Sequence, residues 1–237
     1  MSGEAALSVH GLARRLGRGD GAFALDVPEI ELAPGARAAL IGPSGAGKST
    51  ALALLALALA PDDVHHFRLG GEDLTGAVLA DDRRVLTRAR ARLVGFVPQT
   101  GGLVPFLSLR DNILLTQRLS GEEDEGYARH LAERLGIAAI LPRKPDAVSV
   151  GQRQRAAVAR ALAHRPALLL ADEPTASVHP TQADEILALL AEAAEEGAAV
   201  LVSTHDVARA RDAGLEPWVC EPAGDGTSRS RVERRRW

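Results

Sequence analysis

The stretch Gly42-Pro43-Ser44-Gly45-Ala46-Gly47-Lys48-Ser49-Thr50 constrains this chain more than any other. It fits the pattern G-x-x-x-x-G-K-[ST] at every fixed position and follows an apolar run, Ala38-Ala39-Leu40-Ile41, that reads as a buried strand. Glycines without a Cβ let the backbone wrap closely, so that successive N–H groups point inward at a phosphate chain. A helix beginning near Lys48 adds its positive N-terminal end. The Lys48 ammonium is a mobile point charge for β- and γ-phosphates, and the Ser49 hydroxyl is a hard ligand suited to Mg²⁺. Residues Gly42 to Thr50 therefore predict a nucleotide site. The alternative is a glycine-rich turn without a ligand, and residue usage argues against it. Of 28 basic residues only Lys48 and Lys144 are lysine, and a chain that otherwise uses Arg keeps Lys where a compact ammonium suits the loop.

At 237 residues the chain is long enough for one domain with a sizeable core, or one domain with a small insert. A formal charge of −3 gives no bulk electrostatic reason to expect nucleic acid. The one basic run, Arg229 to Arg236, reads as a frayed solvated tail or as a weak attraction to anionic head groups. Cys220 is alone, which excludes an intrachain disulfide and favours a reducing compartment. The first residues lack a signal peptide's charged start and apolar core. Ala51 to Ala60 is wholly apolar, but a helix of that length spans only about 15 Å, half a bilayer core. It reads as a buried helix, Lys48 to Leu59, stopped by Pro61.

Before the phosphate loop the chain reads as an open β element: Leu7 to Val9, a polar Gly/Arg stretch through Asp20, then Phe23 to Leu25 and Ile30 to Leu32. Residues 61 to 91 suggest a hairpin and a short exposed helix, and Arg92 to Val97 a strand ending at Pro98-Gln99. The pattern turns helical from Asp111 to Gly136, with an acidic surface, and again over Gly151 to His164. Ala167 to Ala171 and Ala198 to Val202 are short apolar runs that fit buried strands, with a helix over Thr181 to Glu195 between them. Trp218-Val219-Cys220 reads as a last edge strand. Strands alternating with helices predict an α/β fold with a mainly parallel sheet.

Leu168 to Ala171 runs into two carboxylates, Asp172 and Glu173. Ligands sit at the carboxyl ends of parallel strands, which brings this pair toward the phosphate loop. Asp172 suits Mg²⁺ held through water, and Glu173 suits a proton acceptor for an attacking water; taken alone, the pair also fits a cap after a strand. Ser149-Val150-Gly151-Gln152 opens the helix carrying Arg153, Arg155 and Arg160. Ser149 reads as an N-cap, with free N–H groups behind it that suit an anion. His205, just after a strand, is either structural or within reach of a terminal phosphate.

Five motifs in order give the chain a specific resemblance. It is similar to the nucleotide-binding subunit of ATP-binding cassette (ABC) transporters, over roughly residues 5 to 210. Val148 to Gln152 resembles the signature LSGGQ, Gln99 the Q-loop glutamine, Ala171 to Thr175 the Walker B segment, and Ser203-Thr204-His205-Asp206 the switch-histidine segment. The resemblance implies a P-loop NTPase fold with an antiparallel β subdomain and a helical subdomain over about 105–160. The ATPase domain spans 5–221 and a basic tail spans 222–237. It implies ATP and Mg²⁺ as cofactors, with the metal near Ser49, Gln99 and Asp172. Glu173, His205, Lys48 and Gln99 are implied as catalytic, and Ser149, Gly151 and Gln152 as ligands of a nucleotide held by a second subunit. The implied partners are a second copy or a related cassette and an integral membrane permease, with the chain peripheral on the cytoplasmic face of the cell membrane and no nucleic acid.

Residues Val94 to Gln99, Leu103 to Ser108, Asp111 and Asn112 are similar to cassettes of the lipoprotein-release and macrolide-export type. Compact amino-acid importers share these features. A non-transport ATPase signalling in cell-envelope control, or a soluble ABC ATPase, are the competing functions. Three departures from the family pattern stand out. Val178-His179 replaces Leu-Asp after Walker B, Val150 replaces the first signature glycine, and the adenine-stacking aromatic has no clear place. Leu16 lies nearest its expected position, and Phe23 fits core or base platform equally.

Overall fold

A computed structural model describes residues 5–17, 22–223 and 228–237. Strands β1 (Leu7–Leu16) and β2 (Phe23–Leu32) form an antiparallel hairpin in register from Leu7↔Leu32 to Leu16↔Phe23, its tip lying outside the described residues. β3 (Arg37–Ile41) leads through the phosphate loop into α1 (Lys48–Leu55). β4 (His66–Leu69) and β5 (Glu72–Asp73) form a second hairpin, followed by α2 (Thr75–Leu79), α3 (Arg83–Leu93) and β6 (Val94–Val97). The helical region is α4 (Leu109–Ser120), α5 (Glu125–Arg134) and α6 (Val150–Leu162). Then come β7 (Leu168–Asp172), α7 (Pro180–Glu195), β8 (Ala199–Thr204), α8 (Val207–Asp212), β9 (Glu216–Pro222) and β10 (Arg229–Arg234).

The ten strands among the described residues join one sheet in the order β5-β4-β1-β2-β10-β9-β3-β8-β7-β6. The segment β9-β3-β8-β7-β6 is parallel throughout, as the alternation of strands with helices requires. β7 and the first five residues of β8 are buried, because helices cover both faces there. Leu168, Leu169 and Leu170 are fully buried, each stabilising the fold by about 1.5–3 kcal/mol. The β5-β4-β1-β2 arm is antiparallel and shows the alternation expected of a sheet with one solvated face.

Four expectations are corrected. The run Arg229 to Arg236 is not a frayed tail: β10 lies between β2, to which it is parallel, and β9, to which it is antiparallel. Its arginines alternate with buried Ser230 and Val232, and they meet carboxylates: Arg234 with Glu216 and Arg235 with Glu221, both at 2.6 Å, and Arg229 with Asp26. A period of two was hidden inside what looked like a block of like charge. For the same reason β9 is not an edge strand, since β10 and β3 flank it. The helix after the phosphate loop ends at Leu55 rather than Leu59, with Leu57 in a left-handed conformation (φ 57°) that breaks it before Pro61. β6 begins at Val94, Arg92 belonging to the last turn of α3.

Candidate functional site

The sheet register aligns the carboxyl ends of four parallel strands. Ile41 pairs with Thr204, Asp172 with Ser203, and Val97 with Ala171. The residues that follow, Gly42 after β3, His205 after β8, Glu173 after β7 and Gln99 after β6, therefore emerge side by side along one edge. This is where an open parallel sheet receives its ligands.

At one end of this row the phosphate loop is a tight cradle. Gly42, Gly45 and Gly47 all have positive φ (155°, 78° and 99°). A Cβ at Gly42 would meet the carbonyl oxygen of Cys220 at 2.0 Å, so no side chain fits where β9 presses on the loop. The Cys220 thiol donates a hydrogen bond to the Ala46 carbonyl at 3.0 Å, and burial pushes its pKa up to about 11 despite the nearby Lys48 charge. Gly47 occupies the N-cap of α1 with no side-chain acceptor, so the first-turn N–H groups and the positive helix end remain directed at the cradle. Lys48 is buried and its ammonium donates to the carbonyls of Gly42 (2.9 Å) and Pro43 (3.0 Å), which holds it across the loop mouth. This cradle fits a polyphosphate.

In the middle of the row sit the carboxylates. Asp172 is 5% exposed and accepts a hydrogen bond from the Ser203 hydroxyl. Glu173 adopts φ 48°, unusual for a residue with a Cβ, and its N–H is held by the Ser203 carbonyl and hydroxyl oxygens, both at 3.1 Å. Ser203 thus braces both acids, a role that the sequence, which placed it only in the segment before His205, did not show. Glu173 Oε2 lies 3.2 Å from His205 Nδ1, so the structure brings these two expected residues into contact. Ser49, Asp172 and Gln99 offer oxygen donors only, a set that fits Mg²⁺ rather than a softer metal.

At the far end, Gln99 is exposed in the turn after β6. The segment behind it is fixed: Arg160 of α6 donates to the carbonyls of Gly102 (2.8 Å) and Gly101 (3.3 Å), burial lowering its pKa. The fully buried Asn112 binds the Val104 N–H and the carbonyls of Val104, Leu107 and Ser108. A buried Asn among the apolar positions of α4 was the sequence signal for this brace.

Ser149, Gly151 and Gln152 lie apart from this row, at the start of α6, which packs on α4, α5 and β6. Ser149 is the expected N-cap and forms a capping box: its hydroxyl accepts from the Gln152 N–H (3.2 Å), and the Gln152 side chain accepts from the Ser149 N–H (2.9 Å). Gly151 abuts the loop after β7, an added Cβ meeting the Ser177 carbonyl at 3.2 Å. His179, in that loop, is exposed, caps α7 through its backbone and places Nδ1 3.1 Å from the Thr181 hydroxyl. Phe23 pairs with Leu16 across the hairpin and packs on the core, with Gly47 so close that a Cβ there would meet its ring at 2.7 Å. It supports the phosphate loop from the side.

Residues 25–176 match the family model described as ABC transporter. The chain belongs to that family, as its ATP-binding and ATP-hydrolysing cassette subunit. Among curated relatives it is 40% identical over 190 residues to lipoprotein-releasing system ATP-binding protein LolD 1 of Rhodospirillum rubrum, covering 78% of this chain and 82% of that one. It is 36% identical over 189 residues to the glutamate transport ATP-binding protein GluA of Corynebacterium glutamicum, covering 78% of this chain and 75% of the relative. Among solved structures it resembles the dimeric bacterial ABC transporter cassette MJ0796, with TM-score 0.80 and 29% identity over 96% of this chain and 97% of that one. The post-hydrolysis dimer of MJ0796 bound to ADP and Pi matches with TM-score 0.79 and 27% identity, covering 98% and 99%.

Proposed function

We propose that this subunit pairs with a second copy, or a related cassette, on the cytoplasmic face of a membrane and powers a permease with a large extracytoplasmic domain, of the lipoprotein-releasing kind. The observation that carries the proposal is the row of strand ends that sets Gly42 to Thr50, His205, Glu173 and Gln99 side by side, with Glu173 and His205 in contact. In this reading Lys48 and the loop N–H groups hold the ATP phosphates, and Glu173 accepts the proton of the attacking water. His205 steadies Glu173 and the γ-phosphate. Ser49, Asp172 and Gln99 hold Mg²⁺, which when bound supplies charge neutralisation to the phosphate chain.

Ser149 and Gly151 of the partner subunit would complete each site. The exposed start of α6, its own cap satisfied, offers N–H groups and a positive dipole end to a phosphate carried by another chain. Arg160 ties α6 to the segment after Gln99, so movement of Gln99 would be passed to α6 and the signature it opens with.

The test is to purify the tagged chain from gently solubilised membranes and identify its companions by mass spectrometry. Recovery of a permease with a large extracytoplasmic domain is the expected result. A compact permease recovered with a binding protein would replace this reading with a transporter of the kind the glutamate-transport relative names. Recovery without any membrane protein would overturn both.

A further inference from the structure

Away from the nucleotide site, the described residues contain one group of three His, Cys, Asp or Glu side chains whose donor atoms all converge within 4.8 Å: His10, Glu29 and Glu31. We propose that this group, on the solvated face of the antiparallel arm, is a binding site for a borderline divalent transition metal, Zn²⁺ in the first instance.

The sheet register builds the site. His10 on β1 stands opposite Glu29 on β2, and two residues along, on the same face, Ser8 stands opposite Glu31. The alternation of the strands therefore puts one imidazole and two carboxylates on one patch, while the residues between them, Val9 and Ile30, go into the core. His66, opposite His10 on β4, brings a second imidazole, its ring centroid 5.4 Å from that of His10 and set edge-on. Three donors from two adjacent strands thus converge, and an imidazole from a third strand stands beside them.

The spacing suits a shared ion better than direct pairing. His10 Nε2 is 3.4 Å from Glu31 Oε1, long for a charged hydrogen bond. Tetrahedral zinc, with ligand bonds of about 2.0–2.1 Å, sets its ligand atoms about 3.4 Å apart. The two carboxylates also crowd together, a repulsion that a divalent cation removes. Ser8 keeps Glu31 in place, its hydroxyl donating to Oε1 at 3.2 Å and lying 3.3 Å from His10 Nε2, which leaves Glu31 oriented by the strand next to it. A mixed nitrogen and oxygen donor set selects zinc and its neighbours over Mg²⁺ and Ca²⁺. His10, Glu29 and Glu31 are three ligands; His66 or water completes the coordination.

The site shares no residue with the nucleotide machinery, so it is read without ATP. Nucleotide-free protein stripped with chelator is titrated with ZnCl₂ by calorimetry, and with Co²⁺ by absorption, whose intensity reports low coordination number. The expected result is one Zn²⁺ per chain, a raised unfolding temperature, and at least about a tenfold weaker affinity in His10→Ala and in Glu29→Gln/Glu31→Gln. His66→Ala weakens binding less, and His205→Ala leaves it unchanged. Circular dichroism confirms that the exposed variants fold. No saturable zinc binding by the wild-type chain, or undiminished binding by folded His10→Ala, would overturn the assignment, as would loss of binding in His205→Ala, which would move the metal to the nucleotide site.

Discussion

The two halves of the candidate nucleotide site are made in opposite ways. The phosphate-loop half is assembled from four strand ends and braced from below: Lys48 and Asp172 are buried, Ser203 holds both acids, and Cys220 backs the loop. The signature half is one helix end. Ser149 is exposed, and its hydrogen bonds close within its own first turn. The difference teaches that, in the proposed reading, a single chain carries a braced cradle for phosphates at one place and a free-standing donor at another. In the proposed dimer, binding belongs to the first half and closure to the second, and variants should separate the two.

The widest separation comes from Glu173→Gln. It keeps ATP affinity and loses hydrolysis by about 10²–10⁴-fold, the contribution of a positioned general base, and an ATP-bound dimer accumulates in sedimentation. A monomer that binds ATP without hydrolysing it would break the link between the halves. Next, Lys48→Ala weakens ATP binding by about 10- to 100-fold, measured by titration of a fluorescent analogue, because a charge-assisted phosphate contact contributes about 1.5–3 kcal/mol. Ser149→Ala should leave that affinity alone while abolishing the dimer of the Glu173→Gln protein, at a cost of about 1 kcal/mol in chain stability for the lost cap.

A smaller effect is expected at the loop between the halves. His179→Asp restores the acid common in the family and should raise steady-state ATPase turnover a few-fold; unchanged or lower turnover would overturn the idea that His179 limits coupling. The smallest lies beneath the phosphate loop. The folded thiol of Cys220 ionises near 11 against an ordinary value of 9.0. A raised folded value means that its contribution to stability is full below pH 9 and is lost as pH climbs through 11. Urea midpoints of wild type and Cys220→Ala should therefore converge over that interval, and parallel curves would sink the argument.

How much of this was legible follows the same division. The phosphate loop, the strand running into Asp172-Glu173 and the helix after Ser149 were readable because each is a local pattern: a glycine spacing, an apolar run, a cap. Ser203 and Arg160 were not, because their partners lie 30 and 58–59 residues away and only the fold brings them together. Phe23 was ambiguous for a related reason, since the sequence shows an aromatic but not the loop it supports. β10 was misread outright. Its alternation competes with a run of arginines, and the carboxylates that neutralise it sit on β2 and β9, out of view of any short window.

That last strand has a consequence for how the molecule is made. Arg229 reaches Asp26 across 203 positions of chain, and β10 fills the gap between β2 and β9. Among the described strands, the antiparallel arm thus pairs with the nucleotide-binding sheet through a segment translated long after β2. At about 5–20 residues per second, β2 waits tens of seconds with an unpaired edge, and the large loop makes the closing step late and entropically costly. The sheet is thus closed by a strand far from its neighbour in the chain.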